Sequence, residues 1–130
     1  MIVLLDTHCW VWWISTPTRL NDTARALIAD RRNTVYFSAA SAWEIAIKYA
    51  LRKLRLPESP ETFIPSRLER DGFTALPILL PHALQVTTLP HHHRDPFDRI
   101  LIAQAQVENI PLLTADPQLK AYTAQLLWAV

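Results

Sequence analysis

The chain has 130 residues, half of them hydrophobic and 19% charged, and its formal net charge is +1. This length predicts a single domain over residues 1–130, and the near-neutral charge excludes a protein that is uniformly basic for nucleic-acid binding. A single glycine excludes glycine-rich nucleotide-binding loops, and a single cysteine excludes a disulfide framework and disfavours a zinc site.

The predicted elements alternate between short apolar strands and helices. Strands are predicted at 2–5, 34–37, within 74–80, at 111–114 and at 126–130. Helices are predicted from 21 or 22 to about 32, after Ser38 or Ser41, over 61–69, after Pro81 and after Asp95. This alternation is typical of an α/β fold with a mostly parallel sheet. No apolar run is long enough to span a membrane and the start is not a signal peptide, so we expect a cytoplasmic protein.

The first apolar helix segment carries Trp10, Trp12 and Trp13. Three tryptophans in four positions cannot all point inward from one helix. We therefore expect them to divide between the core and a surface for a partner chain. Cys9 is expected to be an inert core residue.

The helix after the second strand has one polar interruption. We expect its apolar residues to be buried, namely Trp43, Ile45, Ala46, Ile47, Ala50 and Leu51. Glu44, Lys48, Arg52 and Arg55 are spaced at i, i+4, i+8 and i+11, which places all four on one face of the helix. That face is a hypothetical path for RNA phosphates, and an ordinary solvated face is the alternative.

The stretch from Asp95 to Asp116 contains a helix start, a buried helix and a strand. Asp95 suits the helix N-cap and Pro96 the first helical position, which places Asp98 in the first turn. The short apolar strand at 111–114 is followed by Asp116. In open α/β sheets, ligands bind beyond the carboxyl ends of strands, where Asp116 is expected to lie.

Four acidic residues stand out by position: Asp6, Glu44, Asp98 and Asp116. Each has a structural alternative, such as a pair between Glu44 and Lys48 or a turn at Asp116. Carboxylates brought together repel one another, so a cation is expected to hold them. Oxygen ligands suit Mg²⁺ or Mn²⁺, either of which can activate water against a phosphodiester.

At these residues the sequence resembles the PIN-domain family, and more closely its VapC-type toxins. The matching segments are 4–8 (Leu-Leu-Asp-Thr-His), 38–45 (Ser-Ala-Ala-Ser-Ala-Trp-Glu-Ile), 95–105 (Asp-Pro-Phe-Asp-Arg-Ile-Leu-Ile-Ala-Gln-Ala) and 113–116 (Leu-Thr-Ala-Asp). The resemblance covers almost the whole chain and preserves the order and spacing of these segments.

The resemblance implies a three-layer α/β/α sandwich and an Mg²⁺- or Mn²⁺-dependent endoribonuclease that leaves a 5′-phosphate and a 3′-OH. It implies that Asp6, Glu44, Asp98 and Asp116 bind the metal, with Thr114, Asp95 and Thr7 as supporting residues. It further implies a homodimer and a VapB-type antitoxin whose tail occupies the site.

Other interpretations remain open at this stage. A phosphatase or a receiver domain using Asp6 is disfavoured, because no second acid accompanies that residue. A non-catalytic RNA- or antitoxin-binding PIN-fold protein is the main alternative to the nuclease. The tract His91, His92 and His93 is expected to be a polar loop, while Arg94 and Arg99 are candidates for contacting RNA phosphates or balancing the acids.

Overall fold

The predicted strands form one five-stranded parallel sheet. The computed structural model describes residues 1–91 and 95–130. Its strands are β1 (Ile2–Leu5), β2 (Thr34–Ser38), β3 (Thr74–Leu76), β4 (Leu112–Thr114) and β5 (Leu126–Trp128). They lie in the order β3-β2-β1-β4-β5, and every pairing is parallel. The predicted α/β fold is therefore confirmed.

Helices cover both faces of this sheet. They are α1 (Thr7–Ser15), α2 (Asp22–Ala29), α3 (Ala39–Ala50), α4 (Pro60–Asp71), α5 (Leu80–Gln85) and α6 (Pro96–Glu108). Single turns of 3₁₀ helix lie at Pro17–Arg19, Val86–Thr88 and Pro117–Ala121. Among the described residues, no helix is long and apolar enough to cross a bilayer.

The central strand divides the core into two halves because successive side chains point to opposite faces of a sheet. Val3 and Leu5 pack in one apolar cluster with residues of α1, α2 and α4, whereas Leu4 packs in a second cluster with residues of α6. The three β1 side chains in these clusters, Val3, Leu4 and Leu5, are fully buried. The two cores produce the three-layer α/β/α sandwich expected from the sequence.

Several helix ends follow the predicted capping residues. Asn21 Oδ1 accepts from Ala24 N at 2.7 Å, and Ser38 Oγ accepts from Ala40 N at 3.0 Å. Gly72 ends α4 at φ +72°, a left-handed conformation that favours glycine. By contrast, α2 ends at Ala29 rather than near Arg32. Asp30 Oδ1 accepts from the backbone N–H of Arg32 at 2.9 Å and forms a turn there.

The predicted burial of α3 is wrong for most of its residues. Glu44 is only 3% exposed, whereas Trp43 is 61% and Leu51 59% exposed. Ala46, Ile47 and Ala50 are exposed as well, and only Ile45 of the predicted set is buried. The periodicity identified two faces correctly but assigned the wrong one to the core.

The predicted basic face also ends early. Helix α3 stops at Ala50, and Arg52 adopts a left-handed backbone conformation with φ 59°. Arg52 and Arg55 therefore lie in the loop between α3 and α4 and do not continue the face of Glu44 and Lys48.

The tryptophans of α1 differ in burial, as predicted, whereas the predicted surface for a partner chain stays a prediction. Trp10 is completely buried, and its ring centroid lies 4.9 Å from that of Phe37. Trp12 and Trp13 are half-buried. Cys9 is fully buried, and burial raises the pKa of its thiol, as expected for an inert core residue.

Candidate active site

The first and fourth strands bring Asp6 and Thr114 together. Leu5 in β1 is in register with Leu113 in β4, so the residues that follow them lie side by side. Thr114 is fully buried and donates its hydroxyl to Asp6 Oδ2 at 2.7 Å. In turn, the backbone N–H of Asp116 donates to Thr114 Oγ1 at 3.1 Å. One threonine thus links the predicted acids at the ends of both strands.

Asp116 also begins the next turn of helix. Its Oδ1 accepts from the backbone N–H of Gln118 at 2.9 Å. The turn-forming role suggested by the sequence is therefore present together with proximity to Thr114. The two contacts are compatible because the backbone N–H of Asp116 makes the one with Thr114 and its side chain makes the one with Gln118.

Glu44 enters the same region from α3. Its carboxylate is buried, and Lys48 Nζ lies 2.6 Å from Oε2. The start of α3 is tied to α6, because Ser38 Oγ donates to Gln104 Oε1 at 2.5 Å, and both residues are fully buried. This contact connects the helices that carry Glu44 and Asp98.

The ionisation of Asp98 shows that the acids share one electrostatic environment. Burial is the main cause that raises its pKa to about 8, and the negative charges of Asp6, Asp95, Glu44 and Asp116 add to it in that order. Burial also raises the pKa of Asp6, a shift that Glu44 strengthens and that the Thr114 hydrogen bond and His8 oppose. The fold therefore places the four predicted acids within electrostatic reach of one another.

Asp95 performs the predicted capping role. Its Oδ1 accepts from Phe97 N at 2.8 Å and from Asp98 N at 3.3 Å. Asp95 thereby begins α6 and orients the turn that carries Asp98.

Two carboxylate oxygens at this site have unused acceptor capacity. Within the described residues, Asp6 Oδ1 and Glu44 Oε1 are buried and find no hydrogen-bond donor. An unpaired buried carboxylate oxygen is costly, and a hard divalent cation is a suitable partner for it.

The donor set therefore fits Mg²⁺ or Mn²⁺ in its chemistry. Over residues 1–91 and 95–130, no three His, Cys, Asp or Glu side chains are arranged as a complete metal-binding group. Mg²⁺ does not require one, since it binds through one or two carboxylates and keeps several waters and substrate oxygens as ligands.

A neighbouring cavity of 230 Å³ is lined by the predicted residues Thr7 and Lys48 and also by His8 and Lys53, which the sequence did not single out. Its lining residues are Thr7, His8, Val11, Ile45, Lys48, Lys53 and Leu54. The Oγ1 of Thr7 lies 2.8 Å from the Oγ of Ser41, one helical turn before Glu44. Ser41 lies three residues before Glu44, and this helical spacing could have predicted that Ser41 lies on the same side of α3. The sequence held no comparable signal for His8 or Lys53. Arg52 and Arg55 line an adjoining cavity that shares Leu54.

The structure gives Arg99 a role different from the predicted contact with RNA. Its side chain is buried, and its guanidinium donates to the carbonyl of Pro90 at 2.8 Å. It also donates to Val86 O, Leu89 O and Tyr122 Oη, each at 3.3 Å. Arg99 therefore supports the 86–90 segment. Of the other basic candidates there, His91 is exposed, whereas His92, His93 and Arg94 lie outside the described residues.

The chain is similar to known proteins in both sequence and fold. The family model described as PIN domain matches residues 3–124. Ribonuclease VapC16 of Mycobacterium tuberculosis is 47% identical over 64 residues, a match that covers 49% of this chain and 43% of that protein. The chain thus aligns with less than half of that relative's length.

Solved structures share the fold over nearly the whole chain. VapBC2 from Rickettsia felis, bound to a DNA fragment from its promoter, matches with a TM-score of 0.75 and 19% identity, covering 100% of each chain. A toxin-antitoxin complex from Klebsiella pneumoniae matches with a TM-score of 0.63 and 18% identity, covering 96% of this chain and 95% of that one. At these identities the similarity establishes the fold.

Proposed function

Because the chain belongs to the PIN domain family, we propose that it is an Mg²⁺- or Mn²⁺-dependent endoribonuclease. It hydrolyses RNA with water and leaves a 5′-phosphate and a 3′-OH. The observation that carries this proposal is the pair of buried carboxylate oxygens on Asp6 and Glu44 that lack a donor within the described chain, beside Asp98 and its raised pKa. The ribonuclease name of the Mycobacterium tuberculosis relative supports the same reaction. We assign the activity to a single PIN domain over residues 1–130.

Asp6, Glu44, Asp98 and Asp116 would hold the cation. A bound Mg²⁺ or Mn²⁺ supplies positive charge to phosphodiester oxygens and makes water a stronger nucleophile. Thr114 orients Asp6 by occupying Oδ2, and Lys48 restrains Glu44 in the same way. A cation held beside Asp98 would favour its ionised carboxylate, because an adjacent positive charge stabilises that form.

The basic residues beside Thr7 would guide RNA phosphates. Lys48, Lys53 and His8 line the adjacent cavity, and Arg52 and Arg55 line the next one. Lys48 was predicted for this role from its spacing. Because α3 ends at Ala50, Lys53 rather than Arg52 or Arg55 lines the same cavity as Lys48. Local concentration of cations allows a protein of net charge +1 to bind a polyanion.

We further propose that the nuclease is the toxin of a toxin–antitoxin pair. The structural similarity to the Klebsiella pneumoniae complex supports this role. The partners would be a VapB-type antitoxin and a second copy of the chain in a homodimer, and the site of action would be cytoplasmic RNA.

The test is metal-dependent cleavage by matched variants. The purified chain, Asp98→Asn and Glu69→Gln are incubated with total RNA in Mg²⁺, Mn²⁺ or EDTA, and new RNA ends are mapped. Glu69 is an exposed acid on α4, so its variant controls for the loss of one charge. We expect discrete cuts with 5′-phosphates for the wild type and Glu69→Gln, and none for Asp98→Asn or with EDTA.

A direct binding measurement separates catalysis from metal affinity. Mn²⁺ is titrated into each protein without RNA, and weaker binding is expected only for Asp98→Asn. RNA binding without cleavage by wild-type protein in either metal would instead favour the non-catalytic PIN-fold alternative. Cleavage that survives both EDTA and Asp98→Asn would refute the assigned chemistry.

A further inference from the structure

An exposed aromatic pair lies beside the acids. The Trp43 side chain is 61% exposed, and its ring centroid lies 5.1 Å from that of Phe97 at an interplanar angle of 78°. This edge-to-face geometry is a favourable arrangement for two aromatic rings. The pair bridges α3 and α6, so the two acid-bearing helices meet at these rings.

The pair is adjacent to the acids in the chain as well. Trp43 directly precedes Glu44, and Phe97 directly precedes Asp98. Consecutive Cα atoms are about 3.8 Å apart, so each ring is attached one residue from a proposed metal ligand. Adjacent residues of a helix point about 100° apart, so the contact with Phe97 across the two helices, rather than the position next to Glu44, keeps the indole near the acids.

The indole also borders an apolar groove. Trp43 lines a cavity of 610 Å³ between α3 and α4, together with Ala42, Ala46, Ile64 and Pro65. Small and aliphatic side chains leave room for a flat group beside the indole. Burial in the fold does not explain the position of Trp43, because most of its side chain faces solvent.

We propose that Trp43 is a stacking platform for an unpaired RNA base next to the cleaved phosphodiester, and that Phe97 is a positioning residue that fixes the indole. This inference rests on the proposed nuclease function and adds a determinant of substrate binding to it. Stacking on an aromatic side chain requires a base that is free of a duplex, so the substrate class is single-stranded or looped RNA.

The arrangement of charge favours RNA over a protein at this platform. Lys48 lies five residues after Trp43, which places the two about 140° apart around α3. Lys48, Lys53 and His8 line the cavity on their own side of Glu44. In single-stranded RNA the phosphates and the bases point in different directions. The lysines on one side of the acids suit the phosphates, and the exposed indole on another side suits a base.

Binding of two matched oligonucleotides tests the platform. Fluorescence anisotropy is measured on the Asp98→Asn background with a labelled single-stranded RNA and with an abasic strand of the same length. Trp43→Ala is compared with Trp43→Phe and with Trp128→Ala, which removes another exposed tryptophan far along the chain. We expect Trp43→Ala to weaken binding of the base-bearing strand by about 5- to 150-fold and to leave the abasic strand unchanged.

The other variants define the outcome. Trp43→Phe should retain most of the affinity, and Trp128→Ala should retain all of it. Equal binding of the base-bearing strand by Trp43→Ala and its parent would overturn the platform, as would an equal loss for both strands. A change of oligomeric state by light scattering with unchanged RNA affinity would assign Trp43 to a protein interface and also overturn it. Absence of any RNA binding or cleavage by wild-type protein would instead overturn the proposed function, and the platform with it.

Discussion

Replacing Asp98 by asparagine should stabilise the metal-free protein. Asparagine has nearly the same shape as aspartate but cannot ionise. In the folded protein, burial and the neighbouring carboxylates raise the pKa of Asp98 to about 8, from the value of 3.8 that is usual for aspartate. The folded state therefore binds a proton that the unfolded state releases over this pH range, so wild-type stability falls as pH rises through it.

The size of the effect follows from that difference. A tenfold change in proton affinity corresponds to about 1.4 kcal/mol, so the full difference corresponds to about 6 kcal/mol. Because Asp98 remains partly exposed, water screens part of this energy, and we expect a gain of about 2–3 kcal/mol for Asp98→Asn near pH 8. The gain should become small near pH 4, close to the pKa of unfolded aspartate, and should vanish below about pH 3, where aspartate is protonated in both states.

Urea unfolding followed by tryptophan fluorescence measures this prediction. Wild type, Asp98→Asn and Glu69→Gln are compared in EDTA at several pH values between 4 and 9 and at one protein concentration. Added Mn²⁺ should stabilise wild type more than Asp98→Asn and so reduce the difference. A gain independent of pH, or a variant less stable than wild type at pH 8, would refute the electrostatic reasoning.

Three further substitutions test other parts of the structure. Thr114→Val removes the donor to Asp6 Oδ2, and we expect Mn²⁺ affinity and cleavage to fall about 10- to 100-fold. Thr123→Val, at an exposed position, should change neither, and equal effects of the two would contradict the role of the buried hydroxyl. Gly72→Ala forces a Cβ into a left-handed position at φ +72°, so urea unfolding should show a loss of about 1–2 kcal/mol. Arg99→Met removes the four hydrogen bonds of the guanidinium described above, two of them buried, and we expect a loss of about 2–4 kcal/mol with no change in the salt dependence of RNA binding. A reduced salt dependence would restore the predicted RNA contact of Arg99.

The sheet was predictable because its signals are local. Short apolar runs ended by Asp6 and by Thr114 marked the two strands whose ends meet, and the Asp95-Pro96 pair marked the start of α6. The rule that strand ends share one edge in a parallel sheet then placed Asp6 near Asp116 without knowledge of any contact. Positions that depend on a single local rule were therefore predicted correctly.

The orientation of α3 was not predictable in this way. Its sequence separates an apolar face from a face with Glu44 and Lys48, and apolar residues are normally expected inside. In the structure the face that carries Glu44 is buried and the face that carries Trp43 is exposed. The Glu44 carboxylate lies within electrostatic reach of Asp6 and Asp98. The end of α3 gave no signal either, since Arg52 occupies a left-handed position that glycine or asparagine usually fills.

Arg99 shows a different limit. Its neighbour Asp98 lies at the acid cluster, but residues adjacent in a helix point about 100° apart. This rotation directs Arg99 to the carbonyls of the 86–90 segment. The helical geometry was available from the sequence, whereas the position of those carbonyls required the tertiary fold.

The bond between Thr114 and Asp6 has a consequence for the order in which the molecule is assembled. It joins residues 108 positions apart, and β4 must lie beside β1 before it can form. Contacts so distant in sequence form slowly, since a long loop must close first. A ribosome that has made only the first hundred residues carries Asp6 and Glu44 but neither Thr114 nor Asp116. The four acids thus cannot come together until translation has passed residue 116.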